Sequence, residues 1–188
     1  EACSNPIYVF DRFVEMQRGE HAVEMLPQII FDFVLEVRPP KNGEINFEMI
    51  RTLLYKLRYT ELPIYWVTMD SYQSKDMEQL LRQHGFETGQ RSMDRTTKPY
   101  DLLKTALQDE RVLIPTHDKA MKELGLLERD PMTGRIDHPA GGSKDLADAI
   151  AGVAHGLAMR LETWHRYGIL PTQIPAALMA PDSPDDLA

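Results

Sequence analysis

The sequence holds a single cysteine, Cys3. One thiol can form neither an internal disulfide nor a zinc-type cysteine cluster. That usage fits a reducing, cytosolic setting. Long hydrophobic runs are missing too: the apolar stretches are about strand length, well short of the roughly 20 residues of a helical membrane span, so no membrane role is expected. No secretory leader pattern is visible at Glu1, and the chain does not open on Met, which fits a fragment of a longer protein. There is no G-x-G-x-x-G, Walker A or G-x-S-x-G motif, so the sequence carries neither the phosphate loop of an ATPase motor nor a nucleophile elbow. Basic residues are outnumbered, 21 against 29 acids, for a formal charge of -8. That balance, taken alone, argues against a protein that coats nucleic acid by general electrostatics. It leaves room for a carboxylate-lined site that recruits cations, with any DNA contact made by a local basic face.

What is present is a mixed pattern of strands and helices. Hydrophobic residues make up 43% of the 188, enough for one α/β domain with a loose tail. The β-forming residues from Pro6 to Met16 predict a strand, Arg18-Gly19-Glu20 a turn, and Gln28 to Val37 a second strand closed by Pro39-Pro40. Helices are expected over Asn46 to Leu57, with Asn46 as cap, and over Ser74 to His84, with Gly85 at the end. Further helices are expected over Pro99 to Leu107, His117 to Leu127 and Ser143 to about His165. Between them lie short strands at Pro63 to Met69, Phe86 to Met93 and Arg111 to Ile114, and a Pro-Met-Thr-Gly turn lies within Asp130 to Asp137. This order predicts an α/β fold with a mixed central sheet and helices on both faces. The expected division is one domain over residues 1–168 and a Pro-rich, acidic tail over residues 169–188.

Three acids stand out. Asp70 ends the apolar segment Ile64-Tyr65-Trp66-Val67-Thr68-Met69, and ligand sites of open α/β sheets gather at the carboxyl ends of strands. Starting a turn or capping the next helix is the plainer use of such a residue. Asp145 and Asp148 follow Ser143, a candidate cap, and their i, i+3 spacing places them on one helix face. Acids near a helix N-terminus also complement the macrodipole without further function. Asp148 is harder to explain that way, because Leu146, Ala147, Ala149, Ile150, Ala151 and Val153 around it are small or apolar, and a carboxylate there needs a partner. Gly141-Gly142 allow close backbone approach just before it. Hard Mg²⁺ or Mn²⁺ ions prefer such oxygen ligands, and two ions about 4 Å apart suit phosphodiester hydrolysis.

The remaining candidates are accessory. His138, in Ile136-Asp137-His138-Pro139, can orient water or contact a phosphate, or simply be a solvated loop histidine. Arg91, Arg95, Lys98 and Lys104 can form a phosphate-tracking surface or a solvated face. Tyr72 and Tyr100 can stack on bases or pack inside.

Several segments together resemble the nuclease domain of bacteriophage large terminases. Val67-Thr68-Met69-Asp70-Ser71-Tyr72-Gln73-Ser74 looks like that family's second acidic motif. Ser92-Met93-Asp94-Arg95-Thr96-Thr97-Lys98-Pro99-Tyr100 resembles the segment that follows it. Ile136-Asp137-His138-Pro139, with Gly142-Ser143-Lys144-Asp145-Leu146-Ala147-Asp148-Ala149, resembles the last acidic motif. Order and spacing agree from about Pro27 to Val153, roughly two-thirds of the chain.

The resemblance implies an RNase H-like fold and metal-dependent cleavage of concatemeric double-stranded DNA during packaging. It implies two divalent ions, Mg²⁺ or Mn²⁺, held by Asp70 with Asp145 and Asp148. It also implies an upstream terminase ATPase domain, a small terminase subunit and a portal protein as partners, and action in the host cytoplasm, transiently at the procapsid portal. The family's first acid lies on the first sheet strand. Here Ile7 to Met16 looks like the strand after that one, which would put the first acid before Glu1 and leave the first strand missing; Asp11 is the alternative. Two other functions fit the same residues: a related RNase H-like junction resolvase, or a non-catalytic DNA-guiding or portal-docking module whose site is incomplete.

Overall fold

The computed structural model describes residues 13–18, 22–60, 62, 64–69, 74–90, 93 and 96–158. The chain is mixed α/β, and its described residues form eight short strands and five helices. It divides into two compact units that interleave in sequence: residues 1–6 with Leu35–Ser92, and Ile7–Val34 with Met93–Ala188. The expected tail over residues 169–188 lies outside the described residues, as do residues 1–12.

The first unit contains α1 (Phe47–Arg58), β4 (Trp66–Met69), α2 (Ser74–Gln83) and β5 (Glu87–Gln90). Asn46 caps α1 as expected: its side-chain oxygen accepts from the Glu48 and Met49 amides. β4 and β5 pair in parallel, with Trp66 opposite Glu87 and Met69 opposite Gln90, and α2 supplies the crossover that parallel strands require. The end of α2 is set by Gly85, whose φ of 79° is left-handed. Its amide donates to the Arg82 carbonyl, and the Phe86 amide reaches back to Leu81. This is a Schellman closure, and its hydrophobic contact is Leu81 against Phe86, both buried. Met77 completes that core, with Ile50, Leu54, Tyr55, Ile64, Val67 and Met69 packed partly buried against it. Arg58 roofs the cluster, its guanidinium 4.9 Å from the Phe86 ring centre and hydrogen-bonded to the Ile64 carbonyl.

The second unit begins with an antiparallel hairpin of β1 (Phe13–Arg18) and β2 (Ala22–Pro27), in register from Phe13 opposite Pro27 to Arg18 opposite Ala22. β3 (Ile29–Ile30) then pairs in parallel with β6 (Val112–Leu113). The expected strand over Gln28 to Val37 is therefore corrected. The longer strand lies before Gln28, where a short connection lets β2 fold back on β1. After the Phe31 amide bonds to the Leu113 carbonyl, residues 32–40 run without a ladder. Pairing among the described residues makes four two-stranded sheets: β1 with β2, β3 with β6, β4 with β5, and β7 (Glu128–Arg129) with β8 (Ile136–Asp137).

Three helices build the core of this unit: α3 (Lys98–Gln108), α4 (Asp118–Gly125) and α5 (Asp145–Ala158). α3 carries Pro99 in its first turn, as expected. His117 caps α4, its Nδ1 accepting from the Ala120 amide. α5 is buried on most of its circumference, because Ala147, Ala151, Gly152, Ala154, Gly156 and Ala158 let neighbours approach closely. Tyr100, Leu103 and Ala106 of α3 and Ala120 of α4 pack with Leu146, Ile150, Ala151 and Ala154 of α5, and Ile29 joins them from β3.

The β7–β8 hairpin was legible only as a turn. Asp130 organises it: its Oδ1 accepts from the Met132 and Thr133 amides, and Gly134, at φ 72°, closes the loop onto the Asp130 carbonyl. The backbone donors of Thr133, then Met132, hold the Asp130 carboxyl below its ordinary range. A depressed folded-state pKa means that this contribution is present above the unfolded-state value and is lost as pH falls through the lower folded one. NMR titration of the Asp130 carboxyl carbon is expected to give a midpoint below that of a reference peptide. The Met132 and Thr133 amides should shift in step, and an unshifted midpoint would dismiss the turn as the cause.

Candidate functional site

The first turn of α5 gathers the acids that sequence spacing singled out. Asp145 begins the helix and is exposed; Asp148 lies one turn on and is half-buried. The Asp148 amide donates 2.7 Å to the Lys144 carbonyl, which places Lys144 at the helix boundary. Ser143 was expected to cap this helix with its hydroxyl. The structure assigns the cap to another residue: Glu123 of α4 sends its carboxylate across, and Oε2 accepts from the Leu146 amide at 2.8 Å and the Ala147 amide at 3.1 Å. Ser143 sits beside this bridge, its Oγ 2.9 Å from Glu123 Oε1 and 3.1 Å from Asp145 Oδ2. A helix N-terminus leaves orphan amides, and a carboxylate satisfies two of them while complementing the macrodipole. Lys119, one turn before Glu123, brings its ammonium to 3.6 Å of Oε1. Glu123 is only 5% exposed, so its charge is matched by this set rather than by water.

Asp148 has its own partners. The Tyr100 hydroxyl donates to Oδ1, and the Lys144 ammonium stands 3.6 Å from the same oxygen. Tyr100 comes from α3 and is buried, so it packs rather than offering a face to a base. The carboxylate that seemed misplaced among apolar neighbours is thus provided with a phenol and a cation.

The loop before α5 is shaped by its glycines. Gly141 has φ 79°, and the Gly142 amide donates to the Pro139 carbonyl at 2.9 Å. A Cβ at Gly142 would lie 3.0 Å from that carbonyl oxygen and 3.2 Å from His138 Nδ1. The close approach foreseen for this glycine pair is therefore to the chain's own turn. His138 is part-buried in the same loop, Nδ1 2.9 Å from the Pro139 carbonyl. A carbonyl only accepts, so Nδ1 carries the proton. Its Nε2 lies 3.7 Å from Asp137 Oδ1.

The other candidates divide simply. Lys98 opens α3 and is exposed, and Lys104 is exposed farther along the same helix. Asp70, Asp11, Tyr72, Arg91 and Arg95 lie outside the described residues. As donors, Asp145 and Asp148 fit a hard divalent cation: both are oxygen ligands, a helical turn apart, and one is open to solvent. Among the described residues, no three His, Cys, Asp or Glu side chains gather within reach of one ion.

Two residues of this site escaped the sequence reading. Tyr100 was weighed for base stacking or interior packing, not as the hydrogen-bond donor to an acid. Glu123 carried a signal that went unused: it shares the i, i+3, i+4, i+7 stripe of Ala120, Leu124 and Leu127, and an acid on an apolar stripe must find a buried partner.

No family model, curated protein or solved structure matches the chain. Among the described residues, no helix is long and apolar enough to cross a membrane.

Proposed function

We propose that this chain is a divalent-metal-dependent endonuclease domain of the large-terminase kind, with an RNase H-like fold. The observation that supports it best is the hydrogen bond from Tyr100 to Asp148. It joins the segment around Ser92–Tyr100 to the segment around Gly142–Ala149, two stretches that resemble the same family independently and lie far apart in sequence. A chance likeness of either stretch gives no reason for the two to meet at a carboxylate.

In this reading Asp145 and Asp148 bind the metal, and Asp70 is the further acid that the resemblance implies. Two divalent ions, when bound, supply water activation and stabilisation of the departing oxygen. The chain's own residues do the rest. Tyr100 holds the Asp148 carboxylate in one orientation, and Lys144 tempers its charge. Lys98, with Arg91 and Arg95, contacts phosphates of double-stranded DNA. Mg²⁺ or Mn²⁺ is the cofactor. An ATPase domain, the small terminase subunit and the portal protein are the partners, and the site of action is the host cytoplasm, at the procapsid portal.

The test is plasmid cleavage by the purified chain with Mn²⁺, Mg²⁺ or EDTA, beside Asp70→Ala. Metal-dependent cutting that disappears in the variant is the expected result. Full activity in Asp70→Ala would sink the assignment of that acid, and cutting undiminished by EDTA would sink the metal.

A further inference from the structure

The acids of α5 need a fixed frame, and Glu123 is built into it. Four donor groups converge on this one carboxylate: the Leu146 and Ala147 amides on Oε2, and the Ser143 hydroxyl and Lys119 ammonium near Oε1. The two amides belong to residues directly after Asp145 and directly before Asp148. The Ser143 hydroxyl touches Glu123 and Asp145 at once. Moving the Glu123 carboxylate therefore moves the helical turn that carries both acids, and it also changes the group that orients Asp145.

A bare helix cap could be local: Ser, Thr, Asp or Asn at the boundary satisfies the same amides. Here the cap arrives from a different helix, and it is buried between α4 and α5. It thus ties the direction of the first turn of α5 to the position of α4. A local cap would leave that direction to the core packing of α5 and to the Tyr100 contact with Asp148.

We infer that Glu123 is a positioning residue which, through the first-turn amides of α5 and the Ser143 hydroxyl, sets Asp145 and Asp148 in the geometry that binds a divalent cation. This rests on the metal reading of those two acids given above. Groups that orient ligands through hydrogen bonds commonly change metal affinity about 10- to 100-fold when removed.

The test is Mn²⁺ titration of the full chain, wild type beside Glu123→Ala and Glu123→Gln, with a thermal midpoint for each. The binding readout is taken well below every midpoint, so that it reports folded protein only. Glu123→Ala is expected to weaken Mn²⁺ about 10- to 100-fold. Glu123→Gln keeps a carbonyl oxygen for the two amides and is expected to recover most of that loss. A lowered midpoint in Glu123→Ala with unchanged Mn²⁺ affinity would show a helix cap and nothing more, and would overturn the inference. If Glu123→Ala does not fold, Glu123→Gln and Ser143→Ala are read instead, and wild-type affinity in both would overturn it equally. A wild-type chain that binds no Mn²⁺ would overturn the metal reading itself, and the role assigned to Glu123 with it, before any variant is compared.

Discussion

Asp148→Asn is expected to abolish metal-dependent cleavage, lowering the rate on the order of a thousandfold, while leaving the fold in place. The amide keeps an oxygen that can accept from the Tyr100 hydroxyl, so the contact between α3 and α5 survives. What is lost is the charge, and with it the ion pair to Lys144 and the hard anionic donor that a divalent cation needs. Asp148→Ala is a less clean probe. It strands the hydroxyl of the buried Tyr100, which costs about 1–3 kcal/mol and confuses a loss of chemistry with a loss of stability. The measurement is plasmid nicking with Mn²⁺, with the thermal midpoint recorded for the same preparations. Cutting at the wild-type rate by a folded Asp148→Asn would remove this residue from the proposed site. Tyr100→Phe complements it, since it deletes the phenol while keeping the acid. It is expected to reduce cleavage far less than Asp148→Asn does.

Arg111→Met is expected to destabilise the protein by about 3–5 kcal/mol, the usual cost of removing one member of a buried ion pair. Arg111 is only 5% exposed. Its Nε donates to Asp109 at 3.2 Å and its Nη1 to the Pro27 carbonyl at 2.8 Å. The side chain therefore ties the end of β2 to the strand that starts one residue later. The Arg111 carbonyl meanwhile accepts from the Ile29 amide, the first bond of the β3–β6 pairing. Methionine fills similar space but leaves the Asp109 carboxylate without its guanidinium and the Pro27 carbonyl without this donor. The thermal midpoint should fall by roughly 10 °C for a chain of this size. Adding Asp109→Leu should recover part of the loss, because an apolar pair replaces a broken ionic one. A single variant whose midpoint lies within about 2 °C of wild type would contradict the arrangement.

Much of this architecture was legible before any coordinates. Asn46 announced the start of α1, Gly85 the end of α2, and Pro99 the first turn of α3, because capping and turn chemistry act over a few residues. The acids at 145 and 148 were legible as a pair, since i, i+3 spacing on a helix needs only the helical period. The second strand was misplaced because the apolar run from Ile29 to Val37 reads the same whether or not a neighbour pairs with it. Its ladder depends on Val112 and Leu113, far along the chain, and no local propensity encodes that partner.

By itself, then, the sequence determined the helices, the Asn46 cap of α1 and the Gly85 end of α2, the alternation of strand and helix, and the acidic motifs on which the functional reading rests. Each of those is a property of neighbouring residues. The tertiary structure alone decided which strands pair, that Tyr100 meets Asp148, and that Glu123 rather than Ser143 caps α5. Those outcomes come from satisfying buried polar groups across distant segments. A carboxylate on an apolar stripe states that it needs donors, but only the packing of α4 against α5 determines which amides supply them.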